Sequence, residues 1–536
     1  MFDAEVGPPN FILFITDQLR ADFLGCYGNA LVRTPHIDTI ARRGTAFDRV
    51  YVASPVCMPN RASLMTGRMP SVHGVRMNGI PLSLASVTFA DLLRSAGYST
   101  GLIGKSHLQN ITGTPPFRPT PRYPPAYRTP PAELDQAVRD NRKGAVYANE
   151  APSFWAEATA RVTTPFYGFD HVELVNGHGD DLGGDYLRWL LQKEPNARSL
   201  IGPKHALPHS YSCPQAHRTA IPPELYSTAF IGERAVAFLD DRDRADNAPY
   251  FLMVSFPDPH HPFNPPGKYW DMYKPEDFAA PEAFRRNDWV PPPHVASRIA
   301  EREGGLANLN GVNSFAVSAR EAQEARALTA GMIAFIDDTI GLVLERLART
   351  RSAERTVLLF TSDHGDHLGD HRLLLKGAEQ YESIVHVPFI WSDPAAPRAA
   401  RRSASLGSTI DIPATILDRA GLQSYAGFQG RSLLPAMADP AVELRDAVLI
   451  QYEHQRPDPG LGMPPRVHSI VDQRWRLSVY DGLDWGELYD LQSDPGEFAN
   501  LWHSGKHTVV RGRLFERLAR AEIEHVDRVP LPTGLA

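Results

Sequence analysis

The chain has 536 residues, with 55 Lys and Arg against 62 Asp and Glu, a formal net charge of −7. Charged residues at 22% and hydrophobic residues at 43% describe a folded globular chain and argue against a disordered or coiled-coil one. Mild acidity without a long Lys/Arg block argues against nucleic-acid binding and against a polybasic membrane surface. The length exceeds one ordinary core of ~250–300 residues, so a large domain over 1–438 and a smaller one over 439–536 are expected. Three cysteines, Cys26, Cys57 and Cys213, cannot build a disulfide framework, which fits a reducing compartment. The N-terminal apolar run Phe11–Ile15 has no basic segment before it and is too short for a signal peptide or membrane helix, so a cytoplasmic location is expected.

In chain order, the same pattern recurs: a short apolar run, a polar cluster, then a helix-like stretch. Phe11–Ile15 ends at Asp17-Gln18, Ser99–Gly104 at Lys105-Ser106-His107, Tyr250–Phe256 at Asp258 and His260-His261, and Thr356–Thr361 at Asp363-His364. Near-continuous apolar runs of this length read as strands buried on both faces of a parallel sheet, whose carboxyl ends bind ligands. Helices are expected at Pro35–Arg43, Thr88–Ala96, Ser318–Thr350 and Thr409–Gly421, the third opening with a Ser318/Glu321 capping box. Residues 112–131 hold eight prolines and read as a loop, as does much of 257–315. Beyond about residue 440, alternating runs at Ala447–Tyr452, Val467–Val471 and Trp475–Val479 predict a small antiparallel sheet, followed by a helix over Thr508–Val529. The fold class is therefore α/β: a large, mostly parallel central sheet flanked by helices, plus a smaller C-terminal part with a short antiparallel sheet.

The most specific segment runs from Ser54 to Gly67. Pro59 suits a first helical turn and Gly67 a helix end, so Cys57 falls just before a helix N-terminus, where the macrodipole and Arg61 provide a positive field. The pattern Cys57-x-Pro59-x-Arg61 followed by Ala-Ser-Leu-Met-Thr-Gly resembles the signature of the type I sulfatases of the alkaline phosphatase superfamily. Asn10–Gln18, Thr34–Asp38, Gly104–His107, Pro259–Pro262, Thr361–Gly365, Lys376 and Glu487–Leu501 extend that resemblance along the chain. The likeness is to the bacterial arylsulfatase, phosphonate monoester hydrolase and choline sulfatase branch.

The resemblance implies that Cys57 is oxidised to Cα-formylglycine by a formylglycine-generating enzyme, and that the hydrate is the nucleophile. Asp17, Asp363 and His364, with the side chain at 57, are the implied ligands of one divalent metal ion. Two carboxylates and one imidazole open that site to Ca²⁺ or Mn²⁺, and Gln18 stands as a ligand or just behind the ligands. Arg61, Lys105, His107, His260 and Lys376 match the family's catalytic and substrate-binding residues. Asn78 matches an amide contact to substrate. His367 and His371 read as surface or loop histidines. The implied reaction is hydrolysis of aryl or small alkyl sulfate monoesters, with side activity on phosphonates. The alternative is a phosphonate monoester or phosphodiester hydrolase, in which hydroxyl residues replace the Lys105/His107 pair. A catalytically dead binding protein would be expected to lose Cys57, Arg61 or a metal carboxylate, and all are present. A C-terminal helical arm with no evident partner of its own implies a homo-oligomer, a dimer or tetramer.

Overall fold

A computed structural model describes residues 7–117, 126–128, 130–131, 133–134, 142–157, 159–245, 248–397, 399–458 and 460–535. Its centre is the strand Asn10–Thr16, all seven residues buried. Parallel neighbours pair on both sides, Tyr250–Ser255 and Thr356–Ser362. The parallel run continues through Ser99–Gly104 to His171–Asn176. On the other flank His386–Ser392 runs antiparallel to Thr356–Ser362 and to Thr45–Tyr51, within a sheet of ten strands. The four apolar runs read from the sequence are thus adjacent strands pointing the same way.

Their composition follows from burial on both faces. Ile12 and Phe14 enter one apolar core, whereas Phe11, Leu13 and Ile15 enter another, because successive strand side chains point to opposite sides. The first core packs against the helices Ser227–Arg244 and Ala319–Ala348. The second helix opens on the expected box: Ser318 Oγ accepts from Glu321 N, and Glu321 accepts from Ser318 N. By length and composition this helix could cross a membrane, but 83% of its most apolar window lies inside the molecule, as expected of a core helix.

Other elements differ in their bounds. The 257–315 stretch contains a helix, Pro293–Glu303. Residues 118–125 and 129 of the proline-rich stretch lie outside the described residues.

A four-stranded antiparallel sheet follows, Ala447–Glu453, Arg466–Asp472, Trp475–Tyr480 and Gly486–Asp490. The helix Thr508–Glu524 packs Leu514 and Leu518 into a cluster with Leu449, Ile470 and Leu477 of that sheet. This corrects the expectation of an arm without a partner: the sheet's own face is the partner.

Arg476 ties this sheet to the loop beyond Lys376. The residue is fully buried, with Nε donating to Glu497 at 2.6 Å and Nη1 3.6 Å from Glu487. Glu497 also accepts from Glu382 N at 2.7 Å, and Glu487 from Tyr381 Oη at 3.1 Å. Removing one member of such a network strands buried charge. Arg476→Met should therefore cost about 3–5 kcal/mol of stability, measured by chemical denaturation.

Candidate active site

The parallel strands end together, and each end delivers polar side chains: Asp17 and Gln18, Lys105 and His107, His260 and His261, Asp363 and His364. Facing them is the helix Cys57–Thr66, entirely buried and closed by Gly67 at φ 64°. The helix begins at Cys57 itself rather than just after it. Its first-turn amide at Met58 donates to Asn78 Oδ1 at 3.1 Å, so Asn78 holds the start of this helix.

Asp17, Cys57, Asp363 and His364 place their donor atoms within 4.8 Å of one another, all buried. Cys57 Sγ lies 3.1 Å from His364 Nε2 and 3.6 Å from Asp17 Oδ1. His364 Nδ1 is 2.9 Å from the Gly365 carbonyl; a proton there leaves the Nε2 lone pair aimed at the cluster. Two carboxylates, an imidazole and the residue-57 side chain suit a divalent cation. Arg61 Nη2 and His107 Nδ1 are buried with no hydrogen-bond partner among the described residues, so each has capacity for a further polar contact. Gln18 lies beside the cluster: its Oε1 accepts from Lys376 Nζ at 2.6 Å, its Nε2 is 3.2 Å from His261 Nδ1 and bonds Asp366, and its backbone N donates to Asp363 Oδ1. The backbone there is left-handed, φ 68°, as it is at His107, φ 58°; strain of this kind collects at functional sites.

Three cations surround the cluster. Arg61 Nε donates to Asp363 Oδ2 at 2.7 Å and Nη1 donates to Ser255 Oγ at 2.9 Å. Lys105 Nζ is fully buried on Asp17 Oδ2. Lys376 Nζ lies 3.1 Å from His260 Nε2. Burial opposes ionisation of Asp17, yet Lys105, then His260, hold its carboxyl well below the usual carboxylate range. Burial followed by neighbouring positive charge holds the His107, His260 and His261 imidazoles well below their ordinary values. Burial, then Asp17, push the Cys57 thiol up to about 11.

Glu150 organises the loop that carries His107. Its buried carboxylate accepts from the backbone N–H groups of His107, Leu108 and Gln109 at 2.7–3.1 Å. Sequence reasoning also missed His178, which follows the strand His171–Asn176 and bonds Lys105 Nζ at 2.6 Å. A strand end followed by Gly-His-Gly was the available signal. His367 and His371 are buried, not surface residues: His367 faces Glu379 at 3.5 Å, and His371 stacks on Tyr381 at 3.7 Å between centroids.

A sheet with a buried Cys57-bearing helix, a metal-type cluster and cations at its strand ends is the arrangement of a hydrolase of the alkaline phosphatase type. The Sulfatase family model matches residues 9–422, and the model of the N-sulphoglucosamine sulphohydrolase C-terminal region matches residues 369–524. The chain belongs to the Sulfatase family. It is 28% identical to the arylsulfatase of Clostridium perfringens over 98% of each chain. It is also 28% identical to the multifunctional alkaline phosphatase superfamily protein PehA of Trinickia caryophylli, over 97% of this chain and 96% of that one. Among solved structures, the phosphonate monoester hydrolase of Agrobacterium radiobacter matches with TM-score 0.74 and 26% identity over 98% of each chain.

Asp363 is shared by Arg61, by Gln18 N and by the cluster. Asp363→Ala should bring bound divalent metal down to background in elemental analysis of purified protein. Metal retained at the parental level would mean that other residues hold it.

Proposed function

We propose that this protein hydrolyses aryl or small alkyl sulfate monoesters, with weaker hydrolysis of phosphonate monoesters and phosphodiesters. The observation that carries the reading is the Lys105/His107 pair, both residues buried and Lys105 bonded to Asp17 of the cluster. Cys57 is the precursor of formylglycine, made by a formylglycine-generating enzyme, and the modified residue supplies the attacking oxygen. Asp17, Asp363, His364 and the residue-57 side chain would hold one Ca²⁺ or Mn²⁺, which supplies Lewis-acid polarisation of the ester.

The remaining work belongs to the chain's own side chains. Arg61 and Lys105 set fixed positive charge beside residue 57, where charge gathers in the transition state. Lys376 Nζ and His260 Nε2, 3.1 Å apart, can share a proton and deliver it to the departing alcohol or phenol oxygen. His107, neutral and with Nδ1 unpartnered, can take a proton from residue 57 after the leaving group has gone.

The phosphonate reading is favoured by likeness to the Agrobacterium radiobacter enzyme. Matched aryl leaving groups separate the two. On protein whose Cys57 conversion is established by peptide mass, the 4-nitrophenyl sulfate kcat/KM should exceed that for a phosphonate monoester. Replacing Lys105 and His107 together by Ser and Thr should lower the sulfate value about 10²–10³-fold and the phosphonate value less. Higher phosphonate turnover in the parent protein would reverse the order of the two readings.

A homo-oligomer is part of the proposal. Val509, Ile523, Val526, Leu531 and Leu535 stay exposed on and beyond the last helix, at 59–107% of full exposure. Light scattering at micromolar concentration should give a dimer or tetramer mass; a monomer mass would count against assembly.

A further inference from the structure

His178 is touched by two of the groups assigned above, yet has no part in the reaction as derived. It stands on the loop that follows the strand His171–Asn176. His178 Nε2 is 2.6 Å from Lys105 Nζ and 3.5 Å from Asp17 Oδ2. An ammonium group only donates, so Nε2 accepts, and the ring is neutral with its proton on Nδ1. The same ring lies flat on His260, with centroids 3.6 Å apart and planes 14° from parallel. His261 covers His260 as well, at 4.0 Å. One side chain thus holds Lys105 by a hydrogen bond and the plane of His260 by stacking.

The loop beneath it is pinned. Asp180 is 3.0 Å from His217 Nε2 and accepts from Thr219 Oγ1 at 2.6 Å. Gly179 adopts φ 67°, and a Cβ there would come within 3.0 Å of Pro262. This fastens the loop against the turn that carries His260 and His261. Lys105 has no exposed surface, and its ammonium has two side-chain partners, Asp17 and His178. Without His178, Asp17 alone would hold the ammonium, and its second anchoring contact would be lost.

We propose that His178 is a positioning residue, fixing the Lys105 ammonium between Asp17 and its own ring and holding the His260 ring within reach of Lys376. The idea takes the reaction from the sulfatase reading, but its geometry does not depend on which ester is cleaved. Three variants separate the two contacts. His178→Gln keeps an acceptor for Lys105, His178→Phe keeps a ring against His260, and His178→Ala removes both. With converted Cys57 and 4-nitrophenyl sulfate, His178→Ala should lose about 10–100-fold in kcat, as for outer-layer partners of catalytic groups. KM should move less than about threefold, because the loss falls on the transition state. Gln and Phe should fall between parent and Ala. Melting temperature and bound metal should stay at parental values in both. Parental kcat in the Ala variant would overturn the proposal, as would joint loss of metal and fold in all three. Should only the Ala variant fail to fold, parental kcat in both Gln and Phe would overturn it. If the parent cleaves a phosphonate monoester and not the sulfate, the sulfatase reading fails, and the same kcat ratios on the phosphonate still decide the role of His178.

Discussion

The carboxylate of Asp363 is the point on which the site is hung. It follows the strand Thr356–Ser362, accepts from Gln18 N beyond the central strand at 3.1 Å, and accepts from Arg61 on the helix Cys57–Thr66 at 2.7 Å. Two strand ends and one helix are thereby locked by one group, and Arg61 and Asp363 are each only 1% exposed. Desolvating such a pair is expensive, so it serves geometry more than stability. Asn60 repeats the tie from the next position: its Nδ2 donates to Asp363 O at 2.6 Å, while its Oδ1 accepts from Ala53 N at 3.0 Å. The helix that carries Cys57 cannot shift without breaking both residues' bonds.

The four adjacent parallel strands at the centre of the sheet were legible in the sequence because strands buried on both faces are built almost wholly from apolar residues. Phe11–Ile15 and Thr356–Thr361 announce themselves by unbroken apolarity, and the polar residues after them mark the strand ends. The strand His171–Asn176 was not legible in this way. It pairs with Ser99–Gly104, its first three residues are only half-buried, and Glu173 interrupts the apolar run. His178 was missed with it. His367 and His371 were misread for the opposite reason. Their stretch, Asp366-His-Leu-Gly-Asp-His371, is locally polar, and only tertiary packing against Glu379 and Tyr381 buries it.

The partner of the last helix was hidden too. Leu514 and Leu518 needed an apolar surface, and the sequence gives no account of which face of the small sheet is free to provide it. The fourth strand, Gly486–Asp490, overlaps the start of a segment, Glu487–Leu501, that carried weight only through resemblance. Its side chains turn out to serve packing: Glu487 accepts from the hydroxyls of Tyr381, Tyr480 and Tyr489, and balances Arg476. Family motifs and structural necessity coincide there.

A second group of donor atoms, those of Asp17, His178 and His260, also lies within metal-binding reach. Lys105 Nζ bonds two of the three, Asp17 and His178. The protein thus fills the neighbourhood of a second cation with its own ammonium group. That choice has a consequence for charge. A lysine contributes one positive charge where a second divalent ion would contribute two, and its position is set by covalent attachment instead of by solution metal. Less positive charge suits an ester that carries one negative charge, as sulfate monoesters, phosphonate monoesters and phosphodiesters do, better than a phosphate monoester carrying about two. Among the singly charged esters the count of charges no longer discriminates, and only the placement of fixed groups such as the buried Lys105 ammonium can.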